Sequence, residues 1–433
     1  MKDSKVLVLV LGLATAVLLL TRFTAWPEMI AWPYLTLNGS LPYESIAVAH
    51  TPLLIFLLTG FYAIFGVGVV QLKIATWLLF FTTVFLLWKV AKEMWSEKVA
   101  LWAVALYLPL FLIFEGNGLW FDHALAPIAL LLYWLLTKRR FFWAGVTFAL
   151  GVFTKQTFVW FSLAVVFYFF AKKLKDKSFA IMVFGGLLST IFVLAVLQLL
   201  GLLPSFYFWT VVFGVFYLPT AAGQISFPAM RQLVFAGLPL TAAFFSPELI
   251  PWVIAGSLGV FPRWELFHFQ PALPFVALAL AALVAQKSRA KLAYFYFAVI
   301  LVFFVRFLVI NFNSSVRFYE SEVVQVAEHV QEIASPQEKI YVANYWDSVY
   351  AYSGTMPAIN PLVPYLSWYL SFPNVEQLMT KQLVGERPAI IVQGKYGAGL
   401  FSYKRTMVVE FIERNYEVVK EFENVEILKL KEK

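Results

Sequence analysis

The chain has 433 residues, of which 61% are hydrophobic, 18% aromatic and only 13% charged, with a formal net charge of +8 and no cysteine. Soluble chains carry about 25% charged residues, so the composition excludes an ordinary globular protein and indicates a helical membrane protein of many spans. The lack of cysteine excludes disulfides and thiolate metal sites, and the positive charge needs no nucleic-acid partner because short basic loops account for much of it.

Residues 1–21 (MKDSKVLVLVLGLATAVLLLT) have the charged start and apolar run of a signal peptide. No small-residue cleavage site follows, so they are read as a retained first span. Further apolar segments run at roughly 52–70, 74–90, 98–114, 122–137, 141–154, 157–171, 178–202, 232–247, 249–262, 271–286 and 292–310. Basic clusters mark one side: Lys2/Lys5, Lys89/Lys92/Lys98, Lys138–Arg140, Lys172–Lys177 and Lys287–Lys291. Positive charge gathers on the cytoplasmic face. All five clusters fall there only if 52–70, which contains Pro52, Gly60, Gly66 and Gly68, lies at the outer interface instead of crossing. The expectation is about eleven spans in a multi-pass cell-membrane protein, N-terminus cytoplasmic and C-terminus extracytoplasmic. The outer face would then collect 22–73, 115–121, 155–156, 203–231, 263–270 and everything after 310.

Past residue 310 the character changes, because 15 of the 25 acidic residues lie in 311–433. EKIYVAN (338–344) and PAIIVQG (388–394) read as buried strands, 403–415 as a helix and YEVVKEFENVEILKLK as a terminal strand pair. The expected fold is an all-α polytopic membrane domain (1–310), with interfacial helices in 22–73, followed by a small α/β soluble domain (311–433). That domain has no Gly-rich phosphate loop, which favours capping or acceptor docking over independent catalysis. No internal repeat is present.

The polar residues of the membrane part converge on the outer face. Glu28 directly follows the first span, in a loop of Trp, Pro and aliphatic residues suited to short interfacial helices. Glu115, Asp122 and His123 stand at the mouth of another span, where a carboxylate needs a partner or a task. Lys155 and Gln156 sit at an outer turn. A lone lysine there either snorkels or meets an anion such as a lipid phosphate. FPRWELFHFQPALPF (261–275) brings Arg263, Glu265, His268 and Gln270 to a further turn, with an Arg263–Glu265 ion pair as the plain alternative to phosphate binding. His50, His123 and His268, with Glu28, Glu115 and Asp122, could ligate a divalent metal, but no local metal motif supports it. No cofactor is expected to be required, and no nucleotide loop is present.

The layout resembles the GT-C glycosyltransferases, specifically the dolichyl-phosphate-mannose-protein mannosyltransferase branch with the lipid A aminoarabinose transferases. The resemblance rests on Glu28 followed by NGSLPYES (38–45) and AHTPLL (49–54), on Asp122 in GLWFDHAL, on GVTFALGVFTKQ (145–156), and on ELFHFQPALPF before a late span. It departs from the family's usual pattern in having a lone Glu where an Asp is common and a single proline in HTPLL. The resemblance implies a polyprenyl- or dolichyl-phosphate sugar donor, transfer with inversion of a hexose such as mannose, and a first-loop carboxylate base, mapped onto Glu28. The acceptor would be a hydroxyl of a glycan, lipid or protein.

Residue chemistry agrees with this. A hydroxyl nucleophile gains from a positioned base, and a leaving phosphate needs cations, which Lys155, Arg263, His50 or His268 could supply. Asp122 could orient the acceptor, hold a histidine tautomer or share the base role, since two close carboxyls raise one another's pKa. Glu115, His123, Gln156, Glu265 and Gln270 are secondary candidates. The loop 203–231 is long enough to cover such a site. The competing readings are an oligosaccharide ligase or polymerase using a pyrophosphate-linked glycan, and a transporter. The span interiors are almost free of charge, which disfavours the transporter.

Overall fold

The computed structural model describes residues 2–220, 225–370, 373–395 and 406–432. Helix α1 (Lys2–Leu20) leads into a two-residue strand β1 (Phe23–Thr24), then α2 (Pro27–Leu37), α3 (Leu53–Phe65), α4 (Val69–Met94), α5 (Glu97–Ile113), α6 (Phe121–Thr137) and α7 (Phe141–Thr154). After a tight turn at Gln156–Trp160 come α8 (Phe161–Ala171), α9 (Asp176–Leu199), α10 (Leu203–Thr220), α11 (Met230–Leu240), α12 (Ile250–Ser257), α13 (Leu273–Ala285) and α14 (Ala290–Asn311). These helices are apolar on most faces, as expected of elements whose surroundings are either protein or lipid.

Four of them are long and apolar enough to cross a membrane by length and composition: Val69–Met94, Asp176–Leu199, Leu203–Thr220 and Ala290–Asn311. The other apolar helices are shorter, among them α3 with 13 residues. At 1.5 Å per residue α3 extends about 20 Å, well short of a hydrocarbon core of about 30 Å.

The segment expected to be an outer loop, 203–231, is different. Leu203–Thr220 is helical, with wide π-type turns over Phe208–Tyr217. Its aromatic rings pack a helix flank. Phe206 meets Tyr43, and Phe213 stacks on Tyr369 at 5.6 Å with rings 11° from parallel.

Glycines set the closest helix approaches. A Cβ on Gly145 of α7 would lie 1.8 Å from the Met182 carbonyl of α9, and one on Gly185 would lie 2.2 Å from the Phe142 carbonyl. Backbones meet there directly, as small residues allow in membrane bundles. A Cβ on Gly151 would strike the Phe158 ring at 2.3 Å, so that ring is seated against α7 and the intervening turn, which carries Lys155 and Gln156, is fixed. Asn117 performs a similar service at the start of α6. Its Nδ2 lies 3.1 Å from the Leu18 carbonyl, 3.3 Å from that of Thr21 and 3.2 Å from that of Arg22, and Trp77 donates to its Oδ1 at 3.1 Å.

The C-terminal region holds β2 (Val316–Arg317), α15 (Ser321–Ile333), β3 (Lys339–Ala343), α16 (Ser348–Ser353), β4 (Met356–Pro357), α17 (Ser367–Leu370), α18 (Val375–Glu386), β5 (Ile390–Gly394), α19 (Thr406–Asn415), β6 (Tyr416–Glu421) and β7 (Val425–Leu430). The sheet order is β4-β3-β5-β7-β6, with β3 parallel to both β4 and β5 and the last two pairings antiparallel. Residues 403–405 of the expected helix lie outside the described residues.

This region is knitted to the first loop. Strand β1 pairs in parallel with β2, Ala47 donates to the Leu362 carbonyl and Leu362 to that of Ser45, both at 2.8 Å, and Tyr34 donates to the Thr355 carbonyl at 3.3 Å. One buried cluster accordingly runs from Phe23, Met29 and Trp32 through Ile46 to Val342, Tyr350 and Ile391.

Candidate functional site

A cavity of about 300 Å³ opens where several parts of the chain meet. The first loop supplies Glu28, Trp32, Ala49 and His50, the turn after α7 supplies Lys155–Thr157, and the 259–268 segment supplies Arg263 and His268. Helix α10 covers one side with Thr210, Gly214, Val215 and Leu218, and Tyr369 of the C-terminal region closes another.

Several of the polar atoms here have nothing to bond. Among the described residues, the buried Glu28 Oε2, His50 Nδ1, Gln156 Oε1 and Asp122 Oδ1 find no hydrogen-bond partner. Leaving one such group unsatisfied costs about 1–3 kcal/mol, so four of them in and behind one wall mark a site built for a polar ligand.

Behind the wall Lys155 Nζ stands 2.6 Å from Asp122 Oδ2, and His268 Nδ1 is 2.9 Å from the same oxygen and 3.1 Å from Nζ. Asp122 is 1% exposed and Lys155 4%. Burial pushes the Lys155 ammonium below the usual lysine range, and Asp122 opposes that shift. The carboxylate thus helps a buried cation keep its charge. His268 can donate through Nδ1 to Asp122 or accept there from Lys155, according to its tautomer. Burial, reinforced by Lys155, lowers its pKa, and His50 falls to about 3 for the same two reasons. Both imidazoles are therefore neutral near pH 7. The expected cationic role of the histidines gives way to hydrogen bonding, leaving Lys155 and Arg263 as the positive groups of the cavity.

Glu28, in the first turn of α2, is half-buried in the cavity wall. Burial raises its carboxyl to about 7, against the opposing pulls of its own backbone N–H and of Arg263. A carboxyl with a pKa near 7 is well matched to taking a proton at neutral pH. Arg263 also donates to Glu265 Oε1 at 3.0 Å, so the ion pair and a place at the cavity coexist.

Comparison with known proteins was made against this geometry. Residues 49–200 match the family model described as dolichyl-phosphate-mannose-protein mannosyltransferase. No curated protein matches the chain. Among solved structures, ArnT from Cupriavidus metallidurans in the apo state superimposes with a TM-score of 0.67 at 13% identity, covering 99% of this chain and 98% of ArnT. The same protein bound to undecaprenyl phosphate gives 0.66 at 14% identity, covering 98% and 97%. The apo oligosaccharyltransferase of Archaeoglobus fulgidus gives 0.52 at 13% identity, covering 90% of this chain and 69% of the enzyme. The fold is that of ArnT. The part matched by the family model carries the cavity residues His50, Lys155 and Gln156, with Asp122 behind them. Glu28, Arg263 and His268 reach the same cavity from outside it.

Other candidates are placed elsewhere. His123 uses both ring nitrogens at the head of α6, accepting from the Trp120 N–H at 3.1 Å and lying 3.2 Å from the Glu115 carbonyl. It caps a helix and is not free for a ligand. Gln270 is fully buried and donates to the Phe111 and Phe114 carbonyls at 3.0 and 2.8 Å, a tie between α5 and the segment before α13. Glu115 lines a separate pocket of about 140 Å³ with Arg22, Asn117 and Arg317. Glu265 is absent from the cavity lining. Asp122 binds Lys155 and His268 through Oδ2 and stands behind the cavity lining. Among the described residues no three His, Cys, Asp or Glu side chains converge as metal ligands.

Sequence reasoning missed Tyr369, whose hydroxyl accepts from the Ala49 N–H at 2.8 Å, and Thr157 and Trp32 in the wall. It also missed Asp347. A buried aspartate among the acidic residues of a polar domain has no local sequence signature.

Proposed function

We propose that this chain is an integral membrane glycosyltransferase that moves a sugar from a polyprenyl-phosphate carrier to an acceptor hydroxyl at the outer face. The observation that carries the reading is the convergence, in one cavity, of a neutral-range carboxyl (Glu28) with two cations (Lys155 and Arg263) and unsatisfied polar atoms. ArnT, with which the chain shares its fold, binds undecaprenyl phosphate.

In this reading Glu28 takes the proton of the acceptor hydroxyl as its oxygen attacks the anomeric carbon. The new carbon–oxygen bond forms as the bond to the phosphate oxygen breaks, inverting the centre. The electron pair leaves on the lipid phosphate, whose charge Lys155 and Arg263 receive. Asp122 and His268 hold the Lys155 ammonium in place. Neutral His50 and Gln156 are at hand for sugar hydroxyls, and Trp32 and Trp120 offer apolar faces to the ring. The prenyl chain runs among the apolar helices. We further propose that the transferred group is a hexose such as mannose, that no cofactor is needed, and that about eleven segments cross the bilayer with the N-terminus inside and residues 311–433 outside.

The test is transfer from a radiolabelled polyprenyl-phosphate hexose in reconstituted vesicles. Glu28→Gln keeps the size and removes the base, and is expected to lower the rate by about 10²–10⁴-fold with donor binding intact. A wild-type rate in that variant removes Glu28 from the mechanism.

A further inference from the structure

Asp347 ends the loop after β3 and occupies the N-terminal boundary of α16, yet its side chain caps nothing. It is 6% exposed, and among the described residues its carboxyl makes no hydrogen bond or ion pair. Helix α16 packs directly on α2, the helix whose first turn carries Glu28, and the Tyr34–Thr355 hydrogen bond fastens the two segments together. Glu28 and Asp347 thus stand at the N-terminal ends of two helices packed on each other. Each acts electrostatically on Tyr369, and Glu28 acts on Asp347. Buried carboxyls are ordinarily paired or hydrogen-bonded. Two left without partners on abutting helices call for a reason beyond packing.

We propose that Asp347 is a positioning residue of the acceptor site, a second carboxyl set behind Glu28 by the C-terminal region to hold that base for the incoming hydroxyl. The inference rests on the assignment of Glu28 as base. Two like charges in a poorly solvated wall repel, so one proton stays with the pair. Glu28 ionises first, near 7, and burial together with Glu28 keeps the proton on Asp347 up to about 8. The singly protonated pair is the working form. The protonated carboxyl restrains the ionised one, and the acceptor hydroxyl meets a fixed base. Other titratable groups face the pair. Arg263 acts on Glu28, Lys155, His50 and His268 lie across the cavity, and Tyr350 and Tyr369 flank Asp347. Glu322 on α15, which also packs on α16, and Glu320 just before it act on Tyr345.

The experiment is the pH dependence of transfer, with a polyprenyl-phosphate hexose as donor, in full-length wild type, Asp347→Asn and Asp347→Leu. Wild type is expected to give a bell with limbs near pH 7 and 8. Asp347→Asn loses the alkaline limb because the amide does not ionise. Asp347→Leu lowers kcat about tenfold or more with the donor KM unchanged. Elution volume and melting temperature report whether each variant is folded, and the Asn variant decides if the Leu variant is not. An Asp347→Asn profile that superimposes on wild type overturns the inference while leaving an inactive Glu28→Gln, and with it the base, intact. An active Glu28→Gln overturns the base assignment itself.

Discussion

Replacing Lys155 by Met tests the buried charge cluster most directly. The substitution preserves most of the side-chain volume and removes the ammonium 2.6 Å from Asp122. The aspartate, 1% exposed, is left with His268 alone. Two fates are open to it. If it stays charged, breaking a buried pair from one side costs about 3–5 kcal/mol. If it takes a proton, doing so at pH 7 for a carboxyl of aqueous pKa near 4 costs about 4 kcal/mol. The two routes give the same magnitude, so the destabilisation should be about 4 kcal/mol at neutral pH. It should shrink by about 1.4 kcal/mol for each unit of acidification where protonation is the cheaper route. Asp122→Asn leaves the ammonium unpaired and should cost several kcal/mol as well. The double variant buries no charge and should be more stable than either single one, giving a coupling of about 3 kcal/mol in a double-mutant cycle. Unfolding by SDS titration in mixed micelles measures all four proteins. Transfer activity should stay lost in the double variant, because the phosphate has lost its cation. Additive effects of the two substitutions would refute the pairing, and recovered activity would refute the role of Lys155.

Three further outcomes are expected. Transfer by wild type should fall as pH drops through about 7, since Glu28 then holds its proton; a rate flat down to pH 5 would count against it. Gly145→Val places a branched side chain where even a Cβ would lie 1.8 Å from the Met182 carbonyl. The cost should be at least the 1–3 kcal/mol of ordinary overpacking, read as a lowered melting temperature. Asn117→Ala strips the amide that reaches three carbonyls and the Trp77 N–H, and should cost about 2–3 kcal/mol with a shift in Trp77 fluorescence.

Much of the site was legible because its charges stood against an almost uncharged background. Glu28, His50, Lys155, Gln156, Arg263 and His268 reach one cavity, and each stood out in a short polar stretch between apolar runs. The strands Lys339–Ala343 and Ile390–Gly394 were legible for the opposite reason, as apolar runs within a polar region. What the sequence concealed depends on three-dimensional neighbours. His123 and Gln270 have the chemistry of ligands, and only their backbone partners reveal caps and ties. Leu203–Thr220 is rich in aromatic residues that suit a membrane interface and a helix flank equally, so composition alone could not separate the two. Asp347, at the start of the helix packed on α2, comes from the polar tail and carries no such mark, while Asp122, with its apolar setting, pairs with Lys155.

The pairing of β1 with β2, and the bridge from Ala47 to Leu362, have a consequence for biosynthesis. Synthesis runs from N- to C-terminus, so Glu28 is made long before β2 and Leu362, which brace its loop. The helices between them can form before the loop that carries Glu28 is braced. A chain interrupted before Val316 keeps Glu28 but lacks the strand that pairs with β1.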